Sequence, residues 1–132
     1  MKLATATRTD LATAFLTDIN LGFIKIYDGP QPANPDTAVG GTNHLLGTLP
    51  LNTPAGTELN GVITIDVTNV QDASADLGGT PTFVRILKTD GTTPVADCTA
   101  GVGSGEFSFS STIVLGGVIP LTSASFTVPL GT

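Results

Sequence analysis

The chain has no tryptophan, one tyrosine, one cysteine and one histidine, and only five of its residues are Lys or Arg. Each scarcity closes off a class of function. A lone Cys98 cannot form an internal disulfide. Five cations against eleven Asp and Glu give a net charge of −6, which excludes phosphate-backbone recognition and docking on an anionic membrane. Charged residues make up 12% of the chain, about half the usual share of roughly 25%. No stretch approaches the ~20 apolar residues of a membrane span. The opening residues 1–10 lack the apolar segment of a signal peptide, so synthesis in a cytoplasm is expected. The glycine run 101–105 is followed by no Lys-Ser/Thr pair, so it is not a phosphate loop. Neither an enzyme nor a cofactor-binding protein is expected.

What is present is β-forming. Hydrophobic residues are 40% of the 132, chiefly Val, Ile, Leu and Ala, with abundant threonine, and β-branched side chains suit pleated strands. Residues 83–88 carry the densest apolar run, and Asp90-Gly91 suits a type I′ hairpin to a second arm at 94–97. Phe83, Arg85 and Leu87 share one face of that strand, and Val84, Ile86 and Lys88 the other. A strand apolar on both faces calls for cover on both, from the middle of a sandwich or from a partner.

Residues 1–8 read as an extended arm. Thr9 or Asp10 caps a short helix over 11–19 that ends near Gly22. Residues 23–27 form a strand with Ile24 and Ile26 on one face. Residues 28–43 form a long loop stiffened by Pro30, Pro32 and Pro35. An edge strand follows at 45–51, and 59–68 reads as one strand with Ile63, Ile65 and Val67 inward. Residues 71–79 loop over the surface, 101–105 is a flexible connection, and Gly116-Gly117 is a turn. Residues 107–115 alternate with Phe107, Phe109, Ile113 and Leu115 on one side. Residues 118–128 close the chain between Pro120 and Pro129, with Ala124, Phe126 and Val128 inward. The fold expected is all-β: an antiparallel two-sheet β-sandwich, Ig-like or jelly-roll-like, with one short N-terminal helix, and a small barrel as the alternative. It divides into an arm and helix at 1–22 and a single sandwich domain at 23–132.

The candidate residues are contacts, not catalysts. Leu11, Phe15, Leu16 and Ile19 make an apolar helical stripe that packs on its own domain or on a neighbour. Pro30, Pro32 and Pro35 stiffen a loop of a length that often meets a partner. Arg85 needs an acceptor, either Asp66 or Asp97 within the chain or a group on another chain. His44 has no G-x-S-x-G nucleophile beside it and reads as a solvated loop residue. Cys98 reads as a small buried filler. Asp66, Asp72 and Asp76 are too loosely spaced for a calcium loop and read as an acidic rim.

Four stretches carry a family resemblance: residues 1–8 (M-K-L-A-T-A-T-R), 24–33 (I-K-I-Y-D-G-P-Q-P-A), 83–86 (F-V-R-I) with 90–93 (D-G-T-T), and 125–128 (S-F-T-V). In these the chain resembles small virion structural proteins of tailed bacteriophages and prophages. The resemblance implies a virion structural role without enzyme activity or cofactor and leaves the place in the particle open; the acidic, charge-poor, proline-stiffened chain favours a capsid cement or decoration protein that bridges capsid subunits. A tail, neck or baseplate component is the alternative. A carbohydrate- or receptor-binding module is the reading from another class, and the lack of Trp argues against it. The implied partners are the major capsid protein or other virion proteins, with the protein present as a homo-oligomer or in many copies. The implied location is the virion, after synthesis in the bacterial host.

Overall fold

Among the described residues, strand-favouring segments cut by Gly and Pro fold into eight short strands and one helix. The computed structural model describes residues 1–68, 70, 72, 74–119 and 121–129. The elements are α1 (Thr5–Ile19), β1 (Phe23–Tyr27), β2 (Leu45–Pro50), β3 (Gly56–Leu59), β4 (Val62–Ile65), β5 (Phe83–Leu87), β6 (Pro94–Val102), β7 (Phe107–Phe109) and β8 (Leu121–Thr127). The strands join in one sheet, ordered β2-β1-β5-β6-β7-β8-β4-β3, that curls into a half-barrel. The expected pair of separate sheets is therefore replaced by one hydrogen-bonded sheet. Nor is it wholly antiparallel, because β6 and β7 run parallel.

That parallel pair depends on glycine. Parallel neighbours ordinarily need a crossover of a dozen or more residues, yet here the chain coils back within 103–106. Gly103 and Gly105 both sit at positive φ, 67° and 82°. A Cβ on Gly105 would lie 2.9 Å from the Ala100 backbone. The run expected to be a flexible connection is instead a tight coil, closed where the Glu106 carboxylate accepts the Thr99 N–H (3.0 Å).

The concave side holds the core. Ile24, Ile26, Val84 and Ile86 from one half of the sheet meet Ile63, Phe107 and Ala124 from the other. The helix starts at Thr5, with Ala4 at its N-cap and no side-chain cap. The expected extended arm over 1–8 and the cap at Thr9 or Asp10 are thus corrected. Ala12 and Ile19 are completely buried in the core that the strands build, so helix and sheet share one hydrophobic core.

Other segments also differ from the sequence expectation. The run 59–68 is broken by a hairpin turn at Asn60-Gly61, both at positive φ, so β3 and β4 replace a single strand. Of 107–115 only β7 is a strand. Ile113 is buried, but Leu115 turns out to solvent at 65% exposure. At the Asp90-Gly91 turn only Gly91 has positive φ. The turn is a longer loop held by Asp90, whose carboxylate accepts the N–H groups of Thr92 and Thr93 and the Thr93 hydroxyl. Pro120, Gln71 and Ala73, which fall in expected segments, lie outside the described residues.

Candidate functional site

The sheet contains a fork. β7 is three residues long and wedges between β6 and β8 only from Phe107 onward, opposite Ala100 and Ala124. Glu106 sits where the two strands part. Its carbonyl accepts the Ser125 N–H from β8 (3.0 Å), and its Oε1 accepts the N–H and hydroxyl of Thr99 from β6 (3.0 and 3.2 Å). Away from Glu106, toward Pro94 and Pro129, β6 and β8 face each other with no strand of the described residues between them.

The ladder on each side fixes what points into this gap. The Ala100 N–H bonds Thr82 on the far side of β6 (3.0 Å). Backbone groups alternate along a strand, so those of Asp97 and Thr99 turn the other way, into the fork. On β8 the Val128 N–H bonds Gly61 (2.8 Å), so Ser125 and Thr127 also turn into the fork. Glu106 takes up the N–H groups of Thr99 and Ser125. The backbone groups of Asp97 and Thr127 face the gap without a strand partner among the described residues.

Behind the gap lies an apolar cavity of about 500 Å³. Its floor is Leu11 and Phe15 of the helix with Ile63, Cys98 and Phe126. Phe15 meets Phe126 edge-on, with ring centres 5.3 Å apart and planes at 66°. Arg8 ties the helix to the end of β8 by donating Nε and Nη2 to the Val128 carbonyl (3.2 and 3.1 Å). Cys98 is buried, as expected of a filler. Burial, with Glu106 and Asp97 nearby, pushes its thiol up to about 12, which makes it a poor nucleophile at neutral pH.

The expected contact residues fall in different places. Of the helical stripe, Ile19 is in the core, Phe15 and Leu16 pack against it, and Leu11 remains exposed at the cavity. Pro30 is exposed, while Pro32 and Pro35 are half-buried. Their loop is pinned at its base by Asn43, whose Nδ2 donates to the Asp28 and Pro30 carbonyls (2.9 Å each). Arg85 is only 7% exposed and finds its acceptor inside the chain. Nε and Nη2 donate to the two Asp97 oxygens at 2.7 and 2.9 Å. That hydrogen-bonded carboxylate raises the Arg85 pKa against the opposing effect of burial.

His44 is exposed, and its Nδ1 lies 3.0 Å from Asp28 Oδ1. Burial pushes the Asp28 carboxyl up, but the His44 backbone N–H and ring outweigh it and hold the pKa below the ordinary value. Asp66 and Asp72 do not converge on a shared site. Asp66 accepts the Thr68 N–H, and Asp72 accepts those of Ser74 and Thr48. Among the described residues no cluster of three metal-ligating side chains occurs.

A second open surface lies on two loops joined by hydrogen bonds, Ala75 with Gly116 and Gly117, and Gly79 with Ile113. Leu77, Val114, Leu115 and Val118 are exposed there, Val114 at 66%. The five cations of the chain are Lys2, Arg8, Lys25, Arg85 and Lys88, so neither loop carries one.

Sequence reasoning missed Glu106, Arg8 and this apolar lobe. Glu106 carried a faint signal as the one charge ending a glycine run. The lobe carried none, because Leu115 looked like an inward position of a strand. Set against known protein families, curated proteins and solved structures, the chain matches none.

Proposed function

We propose that this protein is a structural component of a tailed-phage virion, first of all a capsid cement or decoration protein that bridges subunits of the shell. The observation that carries the reading is the lobe of Leu77, Val114, Leu115 and Val118, a set of large apolar side chains left in water on a charge-poor chain. Exposed apolar patches of this kind mark contact surfaces. The stretches that carry the phage resemblance are the opening residues with the start of α1, β1 with the loop after it, β5 with its turn, and the end of β8. They are framework segments, as suits a protein that acts by packing. The half of the sheet made by β2-β1-β5-β6 and the half made by β7-β8-β4-β3 share one core. We treat them as the layers of a sandwich-like, Ig-like or jelly-roll-like module joined at the β6–β7 pair. On this reading the major capsid protein or another virion protein covers the lobe, the protein is not an enzyme, and its place is the virion. Burying the lobe against neighbours would stabilise the shell by mass action.

The carbohydrate-binding reading needs an exposed ring to stack on sugar. Among the described residues no Phe or Tyr side chain is exposed, so nothing here favours it. The test is copy number by mass spectrometry in purified particles with heads and tails separated. A copy number matching the shell subunits in the head fraction supports cement. A ring-sized number in the tail fraction supports the neck, tail or baseplate alternative, and absence from both fractions ends the virion reading. Within particles, Val114→Asp with Leu115→Asp should abolish incorporation while leaving the circular dichroism spectrum unchanged.

A further inference from the structure

We infer that the fork between β6 and β8 is an acceptor for an extended strand of another protein chain, which adds in line with β7 and completes the sheet there. The inference stands on the fork itself, whichever assembly the protein serves. Three observations converge on it. First, the backbone N–H and C=O of Asp97 and Thr127 face the gap from opposite sides, with no strand of the described residues between them. Unpaired ladder groups on two facing strands are a template for one more strand. Second, β6 and β8 each pair with β7 at Phe107, so at its closed end the fork is already two inter-strand spacings wide. Third, the cavity of about 500 Å³ behind it is floored by Leu11, Phe15, Ile63 and Phe126, which gives every second side chain of an inserted strand an apolar seat.

The fork also states the chemistry of its occupant. Residues 95–99 on one side and 125–129 on the other allow a segment of about four residues. Side chains that alternate inward must be apolar to meet Leu11, Phe15 and Phe126. Those that alternate outward lie beside Thr99, Ser125 and Thr127 and must be polar. At the closed end, Glu106 keeps Oε2 clear of any hydrogen bond from the described residues, while Oε1 is taken by Thr99. The net charge of −6 reinforces that local charge. The occupant therefore leads with a cation, a free N-terminal amine or a Lys, which reaches Glu106. That sets the added strand antiparallel to β6 and parallel to β8.

The full-length protein, labelled with ¹⁵N, is titrated with a synthetic peptide Lys-Leu-Thr-Leu-Thr carrying a free amine. Saturable binding is expected, with slowed hydrogen exchange at the Asp97 and Thr127 amides. The same peptide N-methylated at alternate residues cannot complete the ladder and should not bind. Glu106→Gln should weaken binding about fivefold, and Asp76→Asn, a change of the same charge elsewhere on the surface, should not. Thr127→Pro removes the donor that faces the fork and spares the ladder to β4, and should abolish binding in a chain that still folds. Failure of the parent peptide to bind saturably overturns the inference. So does equal binding of the N-methylated peptide, which would make the cavity a seat for small apolar groups alone. Protection confined to amides outside the fork overturns it as well. None of these results bears on copy number in particles, so the two readings fail separately.

Discussion

Removing the Asp97 carboxylate should be among the costliest single changes to this protein. Arg85 lies at the middle of β5, whose five residues are all buried. Both Asp97 oxygens are engaged, at 2.7 and 2.9 Å, and the side chains of Arg85 and Asp97 are 9% and 3% exposed. In Asp97→Ala the guanidinium stays charged and loses both acceptors without gaining water. Stranding a buried charge in this way costs about 3–5 kcal/mol. A domain of this size is stable by about 5–15 kcal/mol, so the variant forfeits a large share of the total. With a urea slope of about 2 kcal/mol per M, the unfolding midpoint should fall by about 2 M. The double variant Arg85→Met, Asp97→Leu removes both charges and restores apolar packing. It should recover most of the loss, because burying the pair carries its own desolvation cost. Urea titrations followed by circular dichroism on the wild type, Arg85→Met, Asp97→Leu and the double variant close the cycle, with Asp97→Ala measured beside them. A cost for Asp97→Ala below about 1 kcal/mol, the range of exposed pairs, would refute the reasoning. A double variant no better than Asp97→Ala alone would refute it too.

Acid should destabilise the fold through its turn carboxylates. The Thr93 and Thr92 hydrogen bonds hold the Asp90 carboxyl down at about 2 against an ordinary 3.8. Because the folded value is the lower one, the stabilisation is complete above the unfolded value and disappears as pH falls through the folded one. Asp66, held low first by the Thr68 N–H, and Asp28 add in the same direction. Urea midpoints should therefore drop between about pH 4 and pH 2, and Asp90→Asn should flatten that drop; an unchanged acid limb would sink the assignment. Gly105→Ala should cost about 1–3 kcal/mol from positive φ and the Ala100 backbone together, and measurably more than Gly103→Ala, which meets nothing within 4 Å; equal urea midpoints would show that the coil is not tight. Ile19→Ala should cost about 2–5 kcal/mol, and a chain lacking residues 2–20 should give no cooperative thermal transition. A sharp transition in that truncated chain would mean that the helix is separable from the core.

The sequence by itself determined the local pattern of this protein. Ile24 and Ile26 alternate with Lys25 and Tyr27, and β1 falls where that alternation lies. The unbroken apolar run at β5 announced a strand covered on both faces, and Asp97 was one of two named acceptors for Arg85. These readings succeed because alternation and charge partnering depend on residues adjacent along the chain or directly across one hairpin. Asn60-Gly61 was legible too, but Ile63 and Ile65 continue the alternation past it and hid the turn. Only the tertiary structure decided that the strands share one curled sheet, that the helical stripe is mostly spent on the core, and that β6 and β8 part around β7. Those outcomes rest on which distant strands close their ladders. The fork exists because a glycine coil lets β7 pair parallel to β6 for three residues and no more. Its open groups belong to Asp97 and Thr127, thirty positions apart. No local pattern records a strand that is missing between two others.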